Sequence, residues 1–228
     1  MIPHRPIHDW PDHERPRERL LELGAARLSD AELLALLLVT GTRGRSAVDV
    51  ARELLADCGD LRGLLGRSRA EFPTGLGIGA AKWATLQAAA EVGRRAQTGV
   101  LRRGAAIAAP GDVQLALRAR LRDAQSEIFV ALFLDARHQV ICVQDLFHGS
   151  LTGAAVYVGE VVKRALRLGA AALVVAHNHP SGVAEPSAAD RELTERLRQA
   201  LALVEIRLLD HVVVGDASSV SFAERGWL

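Results

Sequence analysis

The stretch Ala176-His-Asn-His-Pro-Ser-Gly-Val-Ala-Glu-Pro-Ser-Ala-Ala-Asp190 holds the side chains best suited to chemistry in this sequence. It follows the short apolar run Ala171–Val175, which reads as a strand. Histidines at i and i+2 of a strand project from the same face. His177 and His179 are therefore placed to direct two imidazoles at one ion, at about 2.0–2.1 Å for zinc. Pro180 and Gly182 end the strand and turn the chain. Asp190, in the first turn of the following helix, is within reach of the same ion once the intervening loop folds back. Three protein ligands leave a fourth position for water, the arrangement of a catalytic zinc. One Zn2+ per chain is the expected cofactor. Plainer readings exist: strand-end histidines can be edge polar residues, and Ser187-x-x-Asp190 is also a helix capping box. Capping and coordination are compatible, since Ser187 can cap while Asp190 coordinates.

A hydrolytic metal site also needs a general base, usually a carboxylate, to take a proton from water. The chain before the site offers Glu127, Asp135, Asp145 and Glu160. Glu127 stands at the head of the dense apolar run Ile128–Leu134, an unusual place for mere surface charge. Glu160 is explained by an i, i+3 pair with Lys163.

The elements that must position these residues read as follows. Strands are expected at Ile128–Leu134, Val140–Val143, Ala171–Ala176, Ile206–Val214 and Ser219–Phe222, with Asp135–Gln139 as a hairpin turn. Helices are expected at Asp112–Leu121, Gly159–Leu168 and Ala188–Leu201. Strands and helices alternate, so residues 104–228 read as an α/β or α+β domain. Residues 1–100 read as a helical domain with no convincing strand. Its helices run from Arg17 to Gly24, from the Ser29-x-x-Glu32 capping box to Val39, over Ser46–Asp57, Leu61–Leu65 and Arg69–Phe72, and over the Ala-rich stretch Ala80–Arg95. Residues 1–15 read as an extended arm, and Gly99–Pro110 as a linker. The fold class expected is α+β, an all-helical domain followed by a mixed-sheet domain.

Between two of the helices lies Gly75-Leu76-Gly77-Ile78-Gly79-Ala80-Ala81-Lys82, which resembles a helix-hairpin-helix motif. Such hairpins hold nucleic-acid backbone through uncovered N–H groups and a helix N-terminus. Lys82, Arg67 and Arg69 would add charge, and Leu76 and Ile78 would point into the core. The alternative is a tight helix–helix turn with Trp83 packed in the core. Non-specific DNA contact through residues 75–82 is thus one expected partner reading.

The 49% apolar and 24% charged residues fit a soluble globular chain long enough to fold without a structural metal. A net charge of +1 excludes a global basic field for nucleic acid. The two cysteines, Cys58 and Cys142, suit a reducing compartment and exclude a Cys-based metal site. Cys142, in an apolar stretch, reads as a buried thiol. No signal peptide and no apolar run of transmembrane length is seen, so a cytoplasmic location without membrane contact is expected.

His177-x-His179-Pro180…Ser187-x-x-Asp190 resembles the signature of the JAMM (MPN+) metalloprotease family, and within it the bacterial RadC branch, also called UPF0758. The likeness runs over nearly the whole chain, through Arg15-Pro16-Arg17-Glu18-Arg19-Leu20, Leu28–Leu34, Gly41-Thr42-Arg43-Gly44 and Leu209-Asp210-His211-Val212-Val213-Val214-Gly215. The resemblance implies that His177, His179 and Asp190 are zinc ligands. It implies that Ser187 helps stabilise the oxyanion of a tetrahedral intermediate and that Glu127 activates water. It implies a curved mixed sheet flanked by helices, similar to cytidine deaminase, and hydrolysis of a peptide or isopeptide bond in a peptide or protein substrate. One departure stands out: Tyr157-Val158-Gly159-Glu160 replaces the family's His-Pro-Arg-Glu, which bears on substrate or partner contacts and not on the ligand set. A competing reading is a non-catalytic DNA-binding accessory protein of repair or recombination, with a structural or idle zinc site. The sequence leaves the oligomeric state open.

Overall fold

The computed structural model describes residues 6–73, 75–149 and 156–228, which fall into two compact units dividing after Gly93. In the first unit the α-helices are α1 (Pro16–Leu23), α2 (Asp30–Leu38), α3 (Ala47–Cys58), α4 (Leu61–Gly66) and the greater part of α5 (Ala80–Gln97). Local sequence sets their starts. Pro16 occupies the first turn of α1, where its missing N–H costs nothing. Ser29 with Glu32, and Ser46 with Asp49, form reciprocal capping boxes on α2 and α3. Leu34, Leu38, Val50, Leu54, Leu64 and Leu86 close a common core.

Two expectations for this unit change. Residues 6–15 are not an extended arm: they form two 3-10 turns, and Ile7 and Trp10 pack on the core (residues 1–5 lie outside the described residues). Arg69–Phe72 is a turn and not a helix. The Glu71 carboxylate accepts from the backbone and hydroxyl of Ser68, closing a single turn ahead of Pro73.

The second unit is built on a five-stranded mixed sheet in the order β2-β1-β3-β4-β5. Its elements are α6 (Pro110–Leu121), β1 (Ile128–Leu134), β2 (Val140–His148), α7 (Val158–Leu168), β3 (Ala172–Asn178), α8 (Ala188–Ala202), β4 (Arg207–Val214) and β5 (Ser219–Ser221). β1 pairs antiparallel with β2 and β3, β3 runs parallel to β4, and β4 pairs antiparallel with β5. The fold class is α+β.

Period-two alternation divides each central strand between two cores. Val130, Leu132 and Leu134 of β1, with Ala172, Val174 and Ala176 of β3, pack under Val113, Leu117 and Leu121 of α6. Phe129, Ala131 and Phe133, with Leu173 and Val175, pack under Val161 and Ala165 of α7 and Leu197 and Leu201 of α8. The second face continues to His177, which sits opposite Phe129 in the β1–β3 register. The α8 side of the sheet is therefore where the metal-type residues emerge.

β2 extends past Val143 to His148, because an edge strand has one partner and tolerates polar side chains such as Asp145. For the same reason Cys142 is half-buried rather than buried. The expected linker is partly structured: Val140 donates to the Ala105 carbonyl and accepts from the Gly104 N–H, so this segment satisfies the hairpin's outer backbone.

Candidate metal centre

β3 is buried along its whole length, with β1 on one side and β4 on the other. The His179 N–H continues the β4 pairing by donating to the Val214 carbonyl at 2.9 Å. The chain then turns and crosses the end of β4. Gly215 makes that crossing possible, since a Cβ there would collide with the Gly182 carbonyl and the Ala184 N–H. The loop leads to Ser187, whose capping box on α8 uses Asp190 as its acid partner. Capping and site-building are thus one arrangement. Asp190 Oδ2 accepts from the Ser187 N–H at 2.7 Å and from the Ser187 hydroxyl at 2.6 Å. The other oxygen, Oδ1, faces His177 Nε2 at 3.2 Å.

The three expected ligands meet. His177 Nε2 and His179 Nε2 are 3.0 Å apart, and His179 Nε2 lies 3.5 Å from Asp190 Oδ2. His177, His179 and Asp190 form a group able to hold a metal ion. The donor chemistry fits a cation. His179 Nδ1 is 2.8 Å from the Val183 carbonyl, which only accepts, so the ring proton is on Nδ1 and Nε2 presents a lone pair. A lone pair facing a second imidazole nitrogen and a carboxylate oxygen requires positive charge between them: a proton in the metal-free protein, or a divalent ion. Two imidazoles and one carboxylate oxygen are a set that zinc accepts. The side chain of His177 is 1% exposed, that of His179 20% and that of Asp190 14%, so the site opens to solvent on the His179–Asp190 side.

Ionisation responds to this crowding. Burial pushes the Asp190 carboxyl up, but hydrogen bonds from His177 and His179, the His177 charge and the Ser187 bond overcome it and hold the group far below its ordinary range. The hydrogen bond to Asp190 raises His179, burial opposes, and the Val183 carbonyl and the charges of Asp190 and Glu127 add to the rise.

Of the four carboxylates considered as base, three have other roles. Asp135 accepts from the N–H groups of Arg137 and Gln139 and shapes the β1–β2 turn. Asp145 pairs with Arg120 at 2.9 Å, and Glu160 with Lys163 at 3.2 Å. Glu127 directly precedes β1, and continuing the Phe129–His177 register by one pleat sets it opposite His179. Its charge acts on the His179 ring. Its position is fixed by a residue that sequence reasoning missed. Asn178, between the two histidines and 2% exposed, accepts from the Ile128 N–H at 2.8 Å and donates to the Ser126 carbonyl at 3.0 Å. One buried amide therefore grips the backbone on both sides of Glu127.

His211 and Thr194 were also missed. His211 is fully buried behind the ligands, its Nε2 2.9 Å from His177 Nδ1 and its Nδ1 2.6 Å from Thr194 Oγ1. The signal for Thr194 was its place four residues after Asp190, on the same face of α8. His211 belongs to the Asp210-His211-Val212 segment already singled out. There Asp210 accepts from the His211 and Ala223 N–H groups and from Ser221 Oγ, tying β4 to β5.

Comparison with known proteins places this geometry in a family. Residues 107–227 match the RadC-like JAB domain, and residues 7–84 match the UPF0758 N-terminal domain. The chain belongs to the RadC-like JAB family. A UPF0758 protein of Stutzerimonas stutzeri is 56% identical over 97% of this chain and 99% of its own length. One of Thioalkalivibrio sulfidiphilus is 59% identical over 98% and 100%, and one of Azotobacter vinelandii 56% identical over 97% and 99%.

The RadC-like JAB match contains the three ligand-type residues, Glu127, Asn178, Ser187, Thr194 and His211. The UPF0758 N-terminal match contains the glycine hairpin. In this RadC-like chain Leu76, Ile78 and Trp83 pack on the helical core. Gly77 adopts φ +68°, where a Cβ would also strike the Thr42 side chain. Lys82 is tied to the carbonyls of Thr40 and Gly41, and Arg67 to Asp57. Two of the three cations considered for phosphate contact are thus engaged within the protein. Among the described residues no helix is long and apolar enough to cross a membrane.

Proposed function

We propose that this RadC-like chain is a zinc-dependent hydrolase of the JAMM metalloprotease type, cleaving a peptide or isopeptide bond. The observation that carries the reading is the convergence of His177 Nε2, His179 Nε2 and the Asp190 carboxylate on a site open on one side, with Glu127 held opposite His179. A zinc ion bound there would polarise the scissile carbonyl and lower the pKa of water.

The chain's own residues supply the rest. Glu127 takes a proton from water as the water oxygen adds to the carbonyl carbon, and returns it to the leaving nitrogen as the C–N bond breaks. Asn178 keeps Glu127 in place. Ser187 donates its hydroxyl to the developing oxyanion, which requires the hydroxyl to turn away from Asp190 Oδ2, the acceptor it now faces. Solvent reaches the site beside His179 and Asp190, and the substrate enters there. A cleavage screen of a proteome-derived peptide library tests this, comparing wild type with Glu127→Gln. Wild type should cut a defined subset and Glu127→Gln should not, while keeping its metal. Equal cleavage by both removes Glu127 as the base.

A further inference from the structure

We infer that Thr194 and His211 are positioning residues: a hydrogen-bond chain through them fixes the tautomer of His177 so that its Nε2 lone pair is turned to the metal site. This inference rests on the metal reading above and says what makes His177 a ligand.

The protons along this chain of hydrogen bonds can be assigned one by one. Thr194 Oγ1 lies 2.6 Å from the Asp190 carbonyl oxygen and 2.6 Å from His211 Nδ1. A carbonyl oxygen accepts and never donates, and a hydroxyl has one proton. That proton goes to the Asp190 carbonyl, so toward His211 the hydroxyl accepts. His211 must then carry its proton on Nδ1, which leaves Nε2 as an acceptor. The atom facing His211 Nε2, at 2.9 Å, is His177 Nδ1, so His177 is protonated on Nδ1. His177 Nε2 is left with its lone pair, and this is the atom directed at His179 and Asp190. Had the hydroxyl turned the other way, it would have faced the Asp190 carbonyl with lone pair against lone pair at 2.6 Å.

Burial enforces the count. Thr194 is 2% exposed, His211 0% and His177 1%, so water does not offer substitute partners. Ring packing holds the orientations: Phe129 stacks on His177 and meets His211 edge-on, while Phe222 stacks on His211. Asp190 serves at both ends, its carboxylate at the site and its carbonyl anchoring the relay. Outer partners of this kind typically change metal affinity about 10–100-fold when removed.

Two measurements on the full-length protein test the inference. In the metal-free, 15N-labelled wild type at mildly alkaline pH, long-range 1H–15N correlation spectra distinguish protonated from unprotonated ring nitrogens. His177 and His211 should both be protonated on Nδ1 and His211 bare on Nε2; a bare His211 Nδ1 overturns the relay, and this reading needs no variant to fold. Zn2+ affinity is then measured by competition with a chromophoric chelator. Thr194→Val, nearly the same shape without the hydroxyl, should bind about 10–100-fold more weakly, with the His211 proton shifted to Nε2. Thr194→Ser should recover both affinity and tautomer, which a purely packing role for Thr194 would not produce. Wild-type binding matched by Thr194→Val with unchanged tautomers overturns the relay alone. Wild type that takes up no Zn2+ overturns the metal reading and the relay's part in it.

Discussion

Asn178→Ala tests how the molecule places Glu127, the base of the proposed reaction. The amide accepts from the Ile128 N–H at 2.8 Å and donates to the Ser126 carbonyl at 3.0 Å, with a longer 3.4 Å contact to the Ala124 carbonyl. The two short bonds are worth about 1 kcal/mol each, and the long one adds little. Ser126 and Ile128 are half-buried, so water partly replaces the lost partners, and the net cost is about 2 kcal/mol. That corresponds to roughly a 30-fold change in an opening equilibrium. Amide hydrogen exchange reads it locally: Ile128 should exchange roughly 30-fold faster in the variant. Zn2+ affinity should stay near wild type, since Asn178 touches no ligand atom, and cleavage of a responsive peptide should fall because Glu127 is no longer held. Asn178→Asp, which retains the acceptor, should restore protection at Ile128 alone. Unchanged Ile128 exchange together with unchanged cleavage in Asn178→Ala would mean that the Asn178 amide does not hold Glu127.

Other perturbations follow from the same geometry. In the metal-free protein burial pushes His211 well below its ordinary value of 6.5, with the His177 charge adding. The unfolded chain then binds a proton below about pH 6.5 that the folded chain refuses, so stability falls on acidification by at most about 1.4 kcal/mol per pH unit. His179 is raised and acts in the opposite sense, its contribution being lost as pH rises above about 6.5. Denaturant titrations across pH should therefore show an optimum near pH 6.5 that bound Zn2+ shifts upward, and a flat profile contradicts this. Ser46→Ala and Ser187→Ala each remove one capping hydroxyl and should each cost about 1 kcal/mol in denaturation. Only Ser187→Ala should also weaken Zn2+ binding, because Asp190 Oδ2 loses its 2.6 Å bond. Gly215→Val should destabilise the second unit strongly, since its side chain meets the backbone of Gly182 and Ala184. A melting curve unchanged from wild type would disprove that close approach.

Much of this was legible in the sequence, for identifiable reasons. The β1 span Ile128–Leu134 stood out because a central strand buried on both faces is apolar throughout. The capping boxes at Ser29 and Ser187 announced the starts of α2 and α8. His177, His179 and Asp190 could be chosen because ligand chemistry is carried by residue type and short spacing. The full length of β2 was not legible, because an edge strand shows no continuous apolar signal beyond Val143. The turns of residues 6–15 were hidden because only Ile7 and Trp10 bury there, too few to make a period. Asn178, Thr194 and His211 were missed for a different reason. Their partners lie 50, 4, 17 and 34 residues away along the chain, and apart from the Thr194–Asp190 helix contact no local pattern encodes those pairings.

If His177, His179 and Asp190 together hold one zinc ion, removing one of them should remove the metal. Metal analysis of the purified protein, beside His179→Ala and Glu127→Gln, reads this out. Wild type and Glu127→Gln should each carry about one zinc per chain and His179→Ala essentially none, the count expected of a three-ligand site beside a carboxylate that does not ligate. Zinc retained in full by His179→Ala, or absent from wild type after exposure to Zn2+, would mean that these three residues do not form the metal site.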